Sequence, residues 1–285
     1  MAAKKNADAS VRLKAQQMRE AQEKADKRNR AIVVSIVAVV VLAVIATVAI
    51  VIGNQLKAKN EAETADPTTT LGEYAGGAPV LYSHLGIGKV DDSLPTLTEY
   101  FDYSCHACAN IDVLIGQTVS DGAKNGEYNI EFQPVTTVGM AYANPATSAS
   151  LIVAQEDPDH WIAFHHSLLS YFRSQFNAGK GTVIQDQQKS WEQVKTLATD
   201  AGVPADVVAT FPVNVVADYL STSTAAWKAA NIADRNGLGT PEFVKDHSTR
   251  ITLSGNDATA ILASLRTGMG LSSTAQSGSD SAQSR

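Results

Sequence analysis

From Ala31 to Gly53 the chain carries no charged residue and consists mainly of Val, Ile and Ala. At 1.5 Å per residue such a run spans roughly 34 Å as a helix, enough to cross a hydrocarbon core about 30 Å thick. Residues 1 to 30 hold nine Lys or Arg against four Asp or Glu and show no strong apolar period, so they read as a solvated basic tail. Lys24, Lys27, Arg28 and Arg30 flank the entry of the span, while Lys57 and Lys59 beyond it sit among acidic residues. The positive-inside rule then keeps the N-terminus in the cytoplasm and exports everything after Gly53. A cleaved signal peptide has an apolar region of about 7 to 15 residues with a small-residue cleavage site behind it. Here the run is longer and Asn54-Gln55-Leu56-Lys57 follows, which predicts an uncleaved anchor. Residues 54 to 78 are polar, without an amphipathic period, and read as a flexible linker with a reach of roughly 25 to 30 Å.

Alternation begins beyond Ala78. Val80 to Tyr82 and Gly88 to Val90 predict short strands around a turn at Gly86-Ile87-Gly88. After Pro95, alternation puts Leu97, Glu99, Phe101 and Tyr103 on one strand face. The spacing Ile111, Leu114, Ile115, Val119 then predicts a helix. Gly126 breaks it, and Tyr128 to Val135 alternates as a second strand. Strand, helix and strand within roughly 40 residues make a βαβ unit with parallel strands.

From Ala141 to Asn236 the period turns helical. Asn144-Pro145 and Asp157-Pro158 each offer a cap followed by a proline at a first helical position, and Ser190-x-x-Gln193 reads as a capping box. Trp161, Phe164, Leu168 and Phe172 form one apolar stripe. Val216, Tyr219, Leu220, Ser223 and Trp227 form another that ends at Asn236-Gly237, and both stripes predict core. Neighbouring histidines on a helix point about 100° apart, so His165 and His166 are not expected to pair on a metal; with His160 they read as structural or surface residues. Glu242 to Lys245 and Arg250 to Ser254 predict two strands joined at Asp246-His247-Ser248. A last helix carries Ile261, Leu262, Leu265 and Met269, and the Ser-, Gln- and Gly-rich residues 271 to 285 predict a disordered tail.

The 285 residues allow one or two domains, and the formal charge of −6 supplies no reason for a nucleic-acid partner. The chemistry concentrates in the two cysteines, Cys105 and Cys108. Three positions apart, they cannot build a stapled disulfide framework, so they are either a redox pair or half of a metal site. Cys105 opens the helix of the βαβ unit, where free backbone N–H groups and the helix dipole favour an anion, and a reactive thiolate is expected.

The run Glu99-Tyr100-Phe101-Asp102-Tyr103-Ser104-Cys105-x-x-Cys108, the helical stretch after the second parallel strand, and Gly239-Thr240-Pro241-Glu242-Phe243 together resemble the DsbA-like thiol-disulfide oxidoreductases, here in a membrane-anchored form. The resemblance covers roughly Ala78 to Met269. It implies an α/β, thioredoxin-like fold in two parts, 79–140 and 214–270, with a helical insertion at 141–213, behind a single N-terminal transmembrane helix. Family members commonly place Pro after the first cysteine and His before the second, whereas this chain has His106-Ala107.

The resemblance also implies roles. Cys105 is the exposed nucleophile and Cys108 the buried resolving thiol. Pro241 is cis, beside the cysteines, and leaves backbone groups of Thr240 to pair with an extended substrate. Glu99 lies beneath the pair, where it can accept the proton of Cys108. At His106, where the chain departs from the family pattern, a histidine in the loop can still help stabilise the thiolate through its charge or N–H. Asp102, on the opposite strand face, reads as structural. No cofactor is expected beyond the Cys105–Cys108 disulfide itself. The expected partners are reduced exported proteins, a membrane redox partner and the lipid bilayer around residues 31–53. The expected activity is oxidation of exported cysteine pairs. A reductase or isomerase shares all of these motifs, and a metal module built on Cys105, Cys108 and a histidine, or a binding scaffold, are the readings from other classes.

Overall fold

The computed structural model describes residues 65–179 and 181–272. The basic tail, the apolar span, most of the linker and the residues from 273 onward lie outside the described residues. Among the described residues, no helix is long and apolar enough to cross a membrane.

Six strands, β1 (Val80–Ser83), β2 (Gly86–Ile87), β3 (Thr96–Phe101), β4 (Asn129–Pro134), β5 (Glu242–Lys245) and β6 (Thr249–Ile251), form one sheet in the order β2-β1-β4-β3-β5-β6. β3 and β4 are parallel, with Thr96 opposite Asn129 and Phe101 opposite Pro134, as the βαβ reading requires. All other neighbours are antiparallel. β3 is an interior strand: Leu97 and Phe101 are buried, and so are Thr98 and Glu99.

At the sheet edge the expectation is corrected. Gly88 to Val90 forms no strand; Gly86 and Ile87 themselves pair back on Ser83 and Tyr82. The turn is His84-Leu85, where Leu85 N donates to Ser83 Oγ, and Gly86 and Gly88 adopt φ of +98° and +75°. Those conformations come easily to glycine alone, and a two-residue strand that starts on one of them leaves no alternation to read.

Ahead of the sheet, the last part of the supposed linker is ordered. Asp66 caps a short helix, α1 (Pro67–Leu71), with Pro67 in its first turn, and a 3₁₀ turn, Gly72–Gly76, follows. Leu71 and Tyr74 are buried in the main core. Two apolar residues among Thr and Gly make no period, so only the tertiary contact reveals them.

The cysteine-bearing helix is not continuous. α2 (His106–Ile111) passes through a π turn, Asp112–Gly116, into α3 (Gln117–Lys124). The wider turn rotates the register, so Leu114, expected in the core, is 44% exposed, while Asp112 is buried. The helical block consists of α4 (Ala143–Glu156), α5 (Trp161–Asn177), α6 (Gln187–Asp200), α7 (Ala205–Ala209) and α8 (Ala217–Ala229). The two aromatic stripes lie in the core as the spacing predicts. α4 is buried almost all round, because its Ala, Ser and Thr side chains let neighbours approach every face. α6 begins before the expected capping box: Asp186 Oδ1 accepts from Lys189 N at 3.0 Å, and Ser190 lies inside the helix, donating to Val183 O. α8 stops at Ala229, short of Asn236, because the Arg235 guanidinium takes the carbonyls of Trp227 and Ala230. The final helix, α9 (Ala258–Met269), packs Ile261, Leu265 and Met269 inward.

If Leu71 belongs to the core, Leu71→Ala lowers the stability of the folded region by about 2 to 4 kcal/mol. Urea unfolding checks this; a midpoint identical to wild type would return residues 67–76 to the tether.

Candidate active site

Cys105 occupies the N-cap of α2 in an extended conformation, φ −89° and ψ 116°. The chain reaches it through a turn in which Cys105 N donates to Asp102 O at 2.9 Å. Its sulfur lies where the first orphan amides of the helix point: Cys108 N donates to Cys105 Sγ at 3.3 Å. Both cysteines are free thiols; Cys108 is fully enclosed, and Cys105, expected to be exposed, is itself buried with 5% of its surface accessible, because the Thr240 loop packs over its sulfur. The Cys105 thiol donates to the carbonyl of Thr240 at 3.4 Å.

This setting separates the two sulfurs electrostatically. The hydrogen bond from the Cys108 thiol is the main cause that brings Cys105 down to about 6, with the Thr240 side-chain hydroxyl and the Cys108 amide adding to it and burial and the Asp102 charge opposing. Burial pushes Cys108 well above the ordinary thiol range, and the neighbouring Cys105 pushes it further. The arrangement thus holds one ready nucleophile and one thiol that stays protonated.

Across the sulfur lies the loop before β5. The Thr240–Pro241 peptide bond is cis, and Thr240 Oγ1 meets Thr137 Oγ1 at 2.7 Å. Asp102 holds these loops together. One carboxylate oxygen accepts from Ser104 N and Ser104 Oγ at 2.7 Å each. The other accepts from Thr137 N at 2.9 Å, Val138 N at 2.8 Å and Gly139 N at 3.2 Å. The strand-face argument assigned Asp102 a structural part without indicating how much converges on it. Behind Pro241, Glu242 is buried and held by Arg235 at 2.6 and 3.0 Å and by Trp227 Nε1 at 2.7 Å. No spacing signal marked Arg235, and Glu242 stood out only as an acid at the head of an apolar strand, within the motif Gly239 to Phe243.

Glu99 sits on β3 between Phe132 and Phe243. Burial, reinforced by the charge of Asp112, pushes its carboxyl up to about 8. His106 is held by the end of α5. Its ring stacks on Phe176 at 4.3 Å, and Nε2 meets Asn177 Oδ1 at 2.7 Å. The groups that move the Cys105 thiol are Cys108, Thr240 and Asp102 together with burial, and His106 is not among them. In this geometry His106 fixes the start of α2 to the end of α5, and Phe176 and Asn177 are further residues of the site that spacing did not reveal.

His160 pairs with Asp157 at the surface. His165 and His166, by contrast, both approach Asp112. Side chains that diverge by about 100° can still converge on a group seated between them, which the helix argument did not consider. Among the described residues, no His, Asp or Glu joins Cys105 and Cys108 in a close group of three potential ligands.

No protein-family model matches the sequence, and no curated protein matches it. Solved structures do. MdbA, a thiol-disulfide oxidoreductase from Actinomyces oris, superposes with a TM-score of 0.54 at 22% identity, over 68% of this chain and 89% of that one. The fold is thioredoxin-like. Reduced DsbA from Mycobacterium tuberculosis (TM-score 0.45, 19% identity, 68% of this chain and 93% of that one) and oxidised BdbD from Bacillus subtilis (0.44, 18%, 68% and 97%) also match.

Two predictions test the electrostatics. Alkylation of Cys105 by iodoacetamide in the dithiol form is expected to follow a midpoint near pH 6. Cys108→Ala removes the main donor and moves the midpoint up toward the free-thiol range of about 8.5, while Cys108→Ser keeps a hydroxyl donor and stays below the alanine variant. Equal midpoints in all three proteins would sink the assignment of Cys108 as that donor. For Glu99, the folded carboxyl titrates near 8 against 4.5 in the unfolded chain. The native state therefore binds the extra proton between those values, and stability falls as pH rises through that window. Glu99→Gln abolishes this slope. It is expected to match wild type near pH 4.5 and to exceed it by several kcal/mol above pH 8, at about 1.4 kcal/mol per pH unit. Urea midpoints across pH read it, and parallel curves for the two proteins would count against a buried, neutral Glu99.

Proposed function

We propose that this chain is a thiol-disulfide oxidoreductase, anchored by residues 31–53 with its N-terminus in the cytoplasm, that oxidises cysteine pairs in exported proteins. One observation carries the reading: two thiols on one helix start, one pulled down to about 6 and the other pushed far up, facing the Thr240–Pro241 loop. The thioredoxin-like fold shared with the Actinomyces oris thiol-disulfide oxidoreductase supports it.

In the forward step a substrate thiolate attacks Cys105 Sγ of the oxidised pair. The Cys105–Cys108 bond breaks, a substrate–Cys105 disulfide forms, and Cys108 departs as a thiolate that takes up a proton. Glu99, protonated at neutral pH because burial raises its carboxyl, is the group proposed to supply that proton and to recover it when the pair is reoxidised. A second substrate thiolate then attacks the substrate sulfur of the mixed disulfide and releases Cys105 as a thiolate. Two electrons have passed from the substrate dithiol to the protein, and a membrane redox partner must remove them. Each pKa unit by which Cys105 is lowered favours the dithiol form by about 1.4 kcal/mol, roughly 30 mV for a two-electron couple. A low Cys105 pKa therefore makes the disulfide a better oxidant. The exposed side chains of Val138 and Leu238, on the two loops that meet through Thr137 and Thr240, offer apolar surface to an unfolded substrate.

The redox equilibrium of the full chain with glutathione, read by thiol alkylation, is the test. A potential above that of the glutathione couple is expected, with Cys108→Ser accumulating mixed disulfides on Cys105 and Cys105→Ser accumulating none. A strongly reducing potential would reassign the chain as a reductase, and failure to form the disulfide at any ratio would overturn the redox reading.

A further inference from the structure

Beneath the cysteine-bearing helix lies a second group of side chains that disulfide exchange does not use. Asp112 opens the π turn, and α5 crosses it with His165 and His166. His166 Nδ1 lies 2.6 Å from Asp112 Oδ1, and His165 Nε2 lies 3.9 Å from the same oxygen. Among the described residues, this is the grouping of three His, Cys, Asp or Glu side chains whose ligand atoms all fall within 4.8 Å of one another.

Three independent features point to a ligand there. His165 Nε2 is buried without a hydrogen-bond partner among the described residues, a deficit that costs about 1 to 3 kcal/mol. The ring's other nitrogen is engaged: Tyr103 donates its hydroxyl proton to Ser150 Oγ at 2.8 Å, so its oxygen accepts from His165 Nδ1–H at 2.8 Å. Nε2 is then left with a bare lone pair on the Asp112 side. The second feature is Gly116, where a Cβ would fall 2.3 Å from Asp112 Oδ1 and 2.9 Å from His166 Cε1. The missing side chain is what lets the aspartate and the histidine meet. The third is the π turn itself, which carries Asp112 inward and is a geometry frequent at functional sites.

We propose that Asp112, His165 and His166 bind one divalent transition-metal ion, with zinc the best match. Two imidazoles and a carboxylate with a fourth position open are a ligand set that zinc accepts. With bonds of about 2.0 to 2.1 Å, tetrahedral ligand atoms stand about 3.3 Å apart, a spacing that the distances of 2.6 and 3.9 Å bracket. The cation takes the place of the proton between His166 Nδ1 and Asp112 and neutralises a carboxylate held away from water. Both rings have the supporting bonds a metal ligand needs: Tyr103 on His165, and Ser120 Oγ at 3.2 Å on His166 Nε2. Bound there, the ion ties the π turn behind the cysteines to α5, and neither cysteine is a ligand.

The test uses the full chain carrying Cys105→Ser and Cys108→Ser, which removes the protein's two thiols. Titrated with Co²⁺, it is expected to bind one equivalent and to develop the visible d–d bands of a nitrogen- and oxygen-ligated site, which Zn²⁺ then bleaches. Asp112→Asn, close to isosteric, and His166→Ala, at a partly exposed position, each weaken Zn²⁺ binding about a hundredfold or more while far-UV circular dichroism stays unchanged. Zn²⁺ raises the Tm of the parent and not of those variants. Absence of d–d bands up to about 1 mM Co²⁺, or an affinity unaltered by Asp112→Asn, overturns the proposal.

Discussion

A carboxylate withdrawn from water must find hydrogen bonds for both oxygens or cost several kcal/mol, and Asp102 meets that demand by gathering backbone from separate parts of the chain. It lies at the end of β3 and is 1% exposed. One oxygen closes the turn that delivers Cys105 to its helix, and the other collects three successive amides after β4. That second loop in turn touches the cis-proline loop through Thr137 and Thr240. The nucleophile, the loop facing it and the segment between them are therefore positioned by one buried anion. The same charge works against ionisation of Cys105, so positioning and thiolate stabilisation oppose each other, and hydrogen bonds from Cys108 and the Thr240 hydroxyl decide the balance.

The helix start separates two electrostatic regimes. Above it, Cys105 accepts from a backbone amide and loses its proton readily. Below it, Glu99, Asp112 and His165 are all enclosed, and burial favours the neutral form of each. Within that lower layer Glu99 stands close enough to Asp112 for their charges to interact. His106 belongs to neither regime. Clamped between Phe176 and Asn177, it couples the start of α2 to the end of α5.

Much of this was legible in the chain. Alternation located β3 and β4, the helical spacing after Cys105 placed that residue at an N-terminus, and the stripes on α5 and α8 marked core. Signals of this kind involve residues a few positions apart, and local geometry decides them. Where two of them overlapped, the reading slipped. A π turn defeated the helical period at Leu114, and Asp186 provided the cap expected of Ser190.

The sequence by itself determined that a strand runs into a Cys-x-x-Cys helix, that a helical block follows the second parallel strand, and that an apolar span precedes them all. Tertiary structure alone decided what faces the sulfur and what lies beneath it. Cys105 and Thr240 are 135 positions apart, Asp102 and Thr137 are 35 apart, and Asp112 and His166 are 54 apart. Such pairs meet because the sheet order puts β3 between β4 and β5 and because α5 crosses the π turn. Periodicity reports which face of an element is buried, and only the packing of elements reports against what.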